Sequence, residues 1–162
     1  MKSIKILFWI CVTFVLSGCI LDNNQSDEIS ATKARELIQR NIFFGENIFP
    51  IEGPKAYQYG NVHVDGPSGG MLYRFSSTLD ALKWIVEQHN LQKFSISNDE
   101  QLPMQMLEET PNWWNIEEIG TTESYAYFEE LPTGGKRQLL VLFDPATNII
   151  YVVEHFSAMP GV

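Results

Sequence analysis

Leu139-Leu140-Val141-Leu142-Phe143 and Ile149-Ile150-Tyr151-Val152-Val153 are the stretches that decide the fold. Each is a continuous apolar run. A strand with one face in water alternates polar and apolar residues, whereas one covered on both faces does not. The two runs therefore read as central strands with a layer of structure on each side. Between them, Asp144-Pro145-Ala146-Thr147-Asn148 has the composition of a turn.

Working outward, Ser124 to Glu130 alternates as a half-covered strand, and Pro132 to Lys136 turns the chain into Arg137. Ala56 to Val64 and Met71 to Phe75 read as two more strands. The run Asp65-Gly66-Pro67-Ser68-Gly69-Gly70 between them is expected to be a hairpin tip. Ser77 is the expected cap of the best helix, Thr78–Asn90, with Asp80 in a weak capping box. Leu79, Leu82, Ile85, Val86 and His89 recur at helical spacing on its inner face. An earlier helix starts at Ser30 and runs to about Asn41, with Ala34, Leu37, Ile38 and Ile42 inward and Gly45 as its stop. Asn47 to Pro54 is expected to be irregular, Lys93 to Ser97 a short strand, and the stretch from Pro103 to Pro111 a short helix. The class is α+β: an antiparallel β-sheet meander packed against one main amphipathic helix, in a single small domain over 30–162.

The first nineteen residues carry a different kind of signal. Lys2 and Lys5 are basic, and Ile6 to Val15 is apolar apart from Thr13. That run is far shorter than the roughly 20 residues a helix needs to span a bilayer, and it suits a secretory leader. It ends in Leu16-Ser17-Gly18-Cys19, which resembles the lipobox of bacterial membrane lipoproteins. The resemblance implies cleavage after Gly18 and a diacylglycerol and an N-acyl chain on Cys19. It also implies a place in the cell envelope: the periplasmic face of the outer membrane in a Gram-negative host, since Ile20 is not aspartate, or otherwise the outer face of the plasma membrane. Two acyl chains hold a protein on a bilayer where one is marginal. Residues 19–29 would be the lipidated cysteine and a flexible tether. Its nine residues from Ile20 to Glu28 reach roughly 30 Å at about 3.4 Å each.

Removing residues 1–18 from 162 leaves 144, the length of one ordinary domain. The leader holds two of the eleven basic residues, so nine remain against twenty acids, a net charge of −11. A chain this acidic is a poor match for nucleic acid or anionic headgroups, and compatible with a basic protein partner. Its two cysteines are Cys11, lost with the leader, and Cys19. No disulfide is therefore expected.

Three features invite a chemical reading. Gly66-Pro67-Ser68-Gly69-Gly70 matches Gly-x-Ser-x-Gly, but a nucleophile elbow needs a helix directly after the serine, and here an extended run follows. His63, His89 and His155 lack metal-ligand spacing, and the acids lack the pattern of a calcium loop. Asp99 to Glu130 holds nine acids and no Lys or Arg, with Trp113-Trp114 inside it. Pro111 to Asn115 reads as a loop or ragged turn whose tryptophans are expected first to lid the sheet. In an extended segment adjacent side chains point opposite ways, so the functional alternative is that one ring is exposed as an anchor. Glu108, Glu109, Trp113, Trp114, Glu117 and Glu118 are thus the candidate partner-binding set, with Cys19 for lipidation. No catalytic residue, metal or cofactor is expected. The function class that follows is a non-enzymatic protein-interaction lipoprotein, of the immunity or inhibitor type or an accessory subunit. The alternative is a small-ligand or glycan binder that stacks sugars on an exposed tryptophan.

Overall fold

Ile149–Ser157 and Lys136–Asp144 pair antiparallel, from Asp144 opposite Ile149 to Lys136 opposite Ser157. The computed structural model describes residues 27–63, 66–93, 110–116, 123–131 and 134–157. Within them β1 is Asp27–Ile29, α1 Ala31–Asn41, β2 Glu52–His63, β3 Gly66–Ser76, α2 Leu79–Gln88 and β4 Gln92–Lys93. Three longer strands follow: β5 Glu123–Glu130, β6 Lys136–Asp144 and β7 Ile149–Ser157. The predicted leader, Cys19, the helix before Pro111 and most of Lys93–Ser97 lie outside the described residues.

The class is mixed α+β, with every strand pairing antiparallel. The strand order is β1-β2-β3-β7-β6-β5-β4, which is not a simple meander. Two meanders, β1-β2-β3 and β7-β6-β5-β4, meet where the last strand lies against β3. That placement puts β7 at the centre of the sheet. Its apolar run and that of β6 are covered on both sides, as their unbroken hydrophobicity requires.

One face packs Ala56, Tyr73, Phe75, Val141, Phe143, Ile150 and Val152 against Ala34, Ile38 and Ile42 of the α1 region and Ala81, Leu82 and Ile85 of α2. Two helices therefore share the face assigned to one. The opposite face gathers Tyr57, Leu72, Leu140, Leu142, Tyr151 and Val153 under Trp113 and Trp114. Fully burying one such side chain contributes about 1.5–3 kcal/mol. Two thin layers on one sheet thus stabilise a domain that contains no cross-link.

Local details differ from expectation in instructive ways. Thr78, not Ser77, caps α2: its Oγ1 accepts from the Ala81 amide at 3.2 Å. The Ser77 hydroxyl instead donates to the Pro50 carbonyl at 2.7 Å, pinning the loop before β2. Leu79, the first residue of α2, is 48% exposed rather than turned inward. The irregularity expected in 47–54 is a bulge between Glu52 and Lys55, with Gly53 at φ +54°.

The glycine-rich run is the largest correction. Gly66–Gly70 belongs to β3, paired with His63, Val62, Asn61, Gly60 and Tyr59, so the run expected to turn is strand. Gly69 and Gly70 are there for close approach and not for left-handed backbone. A Cβ on Gly70 would lie 1.9 Å from the Glu154 carbonyl and 2.7 Å from the Tyr59 hydroxyl. Order also begins earlier than expected. Asp27, Glu28 and Ile29, at the end of the supposed tether, pair with Gln58, Tyr57 and Ala56.

Candidate functional site

Trp113 and Trp114 are the described members of the predicted partner-binding set. Glu108, Glu109, Glu117, Glu118 and the lipidation residue Cys19 lie outside the described residues. The two indoles are 9% and 7% exposed, so neither stands out from the surface. The reason is local. The Trp114 amide donates to the Pro111 carbonyl at 2.8 Å, closing a turn. In a turn, adjacent side chains need not diverge, and both rings pack down, edge to face, with centroids 5.7 Å apart.

Below them Tyr151 is held on three sides. Its ring meets Trp114 edge-on at 5.4 Å. Its hydroxyl donates to Asn115 Oδ1 at 3.2 Å and accepts from Arg74 Nε at 3.3 Å. Lys55 Nζ lies 5.9 Å from the Trp113 ring centroid, a cation over an aromatic face. Both indole N–H groups are buried without an acceptor. Such a group costs about 1–3 kcal/mol, which the ring packing must offset. The pair fastens segment 110–116 to the sheet and presents no flat ring to a sugar. The glycan reading thereby loses its stacking platform.

A second polar group, not anticipated from spacing, lies under the helices. Arg137 Nη2 bonds Glu154 Oε1 at 3.1 Å, and the Glu154 side chain is only 8% exposed. The Tyr73 hydroxyl, close enough to feel this charge, accepts from Asn41 Nδ2 at 2.8 Å. Burial foremost, helped by Glu154, pushes the Tyr73 phenol well above its usual range. The network ties α1, β3, β6 and β7 together. Sequence spacing could flag only that Glu154 interrupts an apolar strand; its partner is seventeen residues away.

On the other face Tyr59 and His155 stack across Gly70, with rings 6.0 Å apart and 11° from parallel. Tyr59 Oη lies 3.0 Å from His155 Nδ1 and 3.5 Å from the Glu154 carbonyl, to which it can donate. Burial, with Glu154 adding to it, raises the Tyr59 phenol far above its ordinary value. His89, at the end of α2, donates from Nε2 to the Ile42 carbonyl at 2.8 Å and stacks on Phe44. It is thus a packed ring that joins α2 to the end of α1.

Burial lowers the pKa of both His89 and His155. Both rings are therefore neutral in the fold, while in the unfolded chain they take a proton near pH 6.5. Their stabilising contribution is complete above that pH and declines as pH falls through 6.5 towards the lowered values. We expect each ring to remove up to about 1.4 kcal/mol per pH unit in that window. Urea unfolding between pH 7.5 and pH 5 checks this, and a His89→Gln/His155→Gln chain should show a flatter slope.

Ser68 lies in the extended backbone of β3, opposite Asn61 and Ser157, without the strand–turn–helix of a nucleophile elbow. Among the described residues no three His, Cys, Asp or Glu side chains converge. An open cleft of ≈190 Å³ lies beside Phe128, Glu129, Glu130, Lys136, Arg137 and Gln138. It is smaller than the roughly 300–1,000 Å³ of small-molecule sites. Here β5 acids meet β6 bases in register, Glu129 opposite Arg137 and Glu130 opposite Lys136. The C-terminal end of the acidic stretch therefore lies beside bases of its own neighbour strand. The chain matches no family model, no curated protein and no solved structure.

Proposed function

We propose that this chain is a lipoprotein of the bacterial envelope, held by acylated Cys19, whose domain binds a protein without catalysing a reaction. The observation that carries the reading is Leu16-Ser17-Gly18-Cys19 placed after a basic and then apolar leader. The position of the domain supports it. Its first strand starts at Asp27, eight residues after the cysteine, which leaves a short spacer between lipid and fold.

The partner surface is the acidic chain on either side of the tryptophan pair. Glu108 and Glu109 precede, and Glu117 and Glu118 follow, a segment that Trp113 and Trp114 anchor to the sheet. The tryptophans act as the fastening of that surface and not as its contacts. A basic partner is attracted chiefly through on-rate and specificity, which salt weakens. An immunity or inhibitor protein facing a basic toxin or enzyme has this character, as does an accessory subunit of an envelope machine.

Two measurements test the reading. A Cys19→Ser chain is expected to leave the membrane fraction, while the native chain carries an acylated N-terminal cysteine by mass spectrometry. Reversing Glu108, Glu109, Glu117 and Glu118 to lysine is expected to weaken partner capture from native membranes and flatten its salt dependence. Unchanged capture and salt response would reject the acidic surface while leaving the anchor intact.

A further inference from the structure

The direction in which the chain enters the sheet decides which end of the domain faces the bilayer. β1 runs antiparallel to β2, and Asp27 sits opposite Gln58. The chain before Asp27 therefore comes from the end of the sheet where β2 turns into β3. The same end holds the close of β7 at Ser157 and the β5–β6 turn between Glu130 and Lys136. The far end holds the Asp144–Asn148 turn, Ser77 and the start of α2, since Ser77 N donates to the Asn148 carbonyl.

Reach separates the two orientations. Eight steps from Cys19 to Asp27 span at most about 27 Å at 3.4 Å each. Running back past the sheet to its far end would use about 17 Å of this, for some five residues of strand. About 10 Å would remain, most of it taken up by a headgroup layer of roughly 5–8 Å on each side of the hydrocarbon, and the chain would still have to reverse direction. The near end needs no such detour.

That near end is also where aromatic surface is exposed. Phe128 is 60% and Phe156 40% exposed, and Arg137 lies 5.6 Å from the Phe156 ring centroid. In register they stand one and two residues beyond the level of Asp27, towards the entering chain. They project from opposite faces of the sheet, so only an end-on approach lowers both. The cleft beside Phe128 opens at the same end, and its Glu130 and Lys136 stand opposite each other across the ladder.

We infer that the domain stands end-on upon the phospholipid surface that carries its anchor, with Phe128 and Phe156 at headgroup level on either side of β6. The inference rests on the lipoprotein reading. The occupant is zwitterionic lipid, because a chain this acidic is repelled by anionic headgroups. Amphipathic contact of this kind adds buried apolar area to the acyl anchor and fixes the orientation of the domain.

The absence of any thiol in the mature chain other than acylated Cys19 makes the test direct. Phe128→Cys, Phe156→Cys and, at the far end, Leu79→Cys are each labelled with bimane in the full lipidated protein. The proteins are reconstituted in phosphatidylcholine vesicles bearing a headgroup nitroxide. All three positions are exposed apolar sites, and thermal unfolding confirms that each chain is folded. We expect bimane at 128 and 156 to lose most of its emission, and bimane at 79 to keep it. Quenching at 79 alone, or equally at all three, overturns the proposal. So does protection of 128 and 156 from aqueous iodide without lipid quenching, which would point to a protein on that end. Mass spectrometry of the same samples separates the two readings. Acylated Cys19 with unquenched 128 and 156 rejects the orientation alone, and an unacylated Cys19 removes both.

Discussion

Gly70→Ala is expected to cost the domain about 3 kcal/mol or more, a large share of the roughly 5–15 kcal/mol by which a domain of this size is stable. The added Cβ would meet the Glu154 carbonyl at 1.9 Å, and that atom belongs to the backbone of β7. Side chains can rotate away from an intruder, but a central strand cannot move without breaking its ladders to both neighbours. Gly70 lies where β3 joins the two meanders, so the damage falls on the seam of the sheet. Urea unfolding of Gly70→Ala beside Gly69→Ala measures the effect. Gly69 should cost less, because its Cβ would meet the Tyr59 carbonyl at 2.8 Å, a smaller overlap. Adding Tyr59→Ala to Gly70→Ala should not restore stability. Full rescue would show that the phenol, and not the β7 backbone, is what the glycine makes room for.

This glycine shows where reading a sequence stops. Gly66 to Gly70 has the composition of a turn, and glycine is used both for left-handed backbone and for close approach. The two uses look alike until the neighbour across the sheet is known. That neighbour is His155, eighty-five residues on, and no local pattern names it. The central strands were legible because five consecutive apolar residues admit one environment, and α2 was legible from its periodicity. Its exact cap was not, because Ser77 is locally at least as good a cap as Thr78 and its tertiary contact with Pro50 takes its hydroxyl elsewhere. The insertion of β7 beside β3 left no trace in the periodicity, since any ordering of the same antiparallel strands alternates in the same way.

The candidate site was legible to the same limited degree. Charge segregation is a property of composition, so the acidic stretch was visible. The fate of Trp113 and Trp114 turned on one turn hydrogen bond, from the Trp114 amide to Pro111, which makes adjacent side chains converge. The loop read over 111–115 allows both rings to lie on the sheet, and the structure buries both. The pairing of Glu129 with Arg137 and Glu130 with Lys136 was likewise hidden, because it depends on the register of β5 against β6. Two of the nine acids that have no base near them in sequence thus stand opposite a base across the ladder.

Arg137→Met is expected to destabilise the domain by about 3 kcal/mol, the low end of the range for breaking a buried ion pair. The low end applies because the Arg137 side chain is 31% exposed and water screens part of the attraction, whereas Glu154 is 8% exposed. Removing the guanidinium leaves a largely buried carboxylate between Leu139 and Met71 of the neighbouring strands, without its ion-pair partner. Glu154→Leu is expected to cost less, since the Arg137 head can turn towards water and keep its place over Phe156. The double variant decides what the pair is for. If its members act together, Arg137→Met/Glu154→Leu should be more stable than the sum of the single losses by about 1–3 kcal/mol. Additive losses would mean that the two side chains act independently and that the ion pair does not couple β6 to β7. A double variant as stable as the native chain would show that the charges can be exchanged for apolar packing, which leaves their retention to be explained by something other than stability.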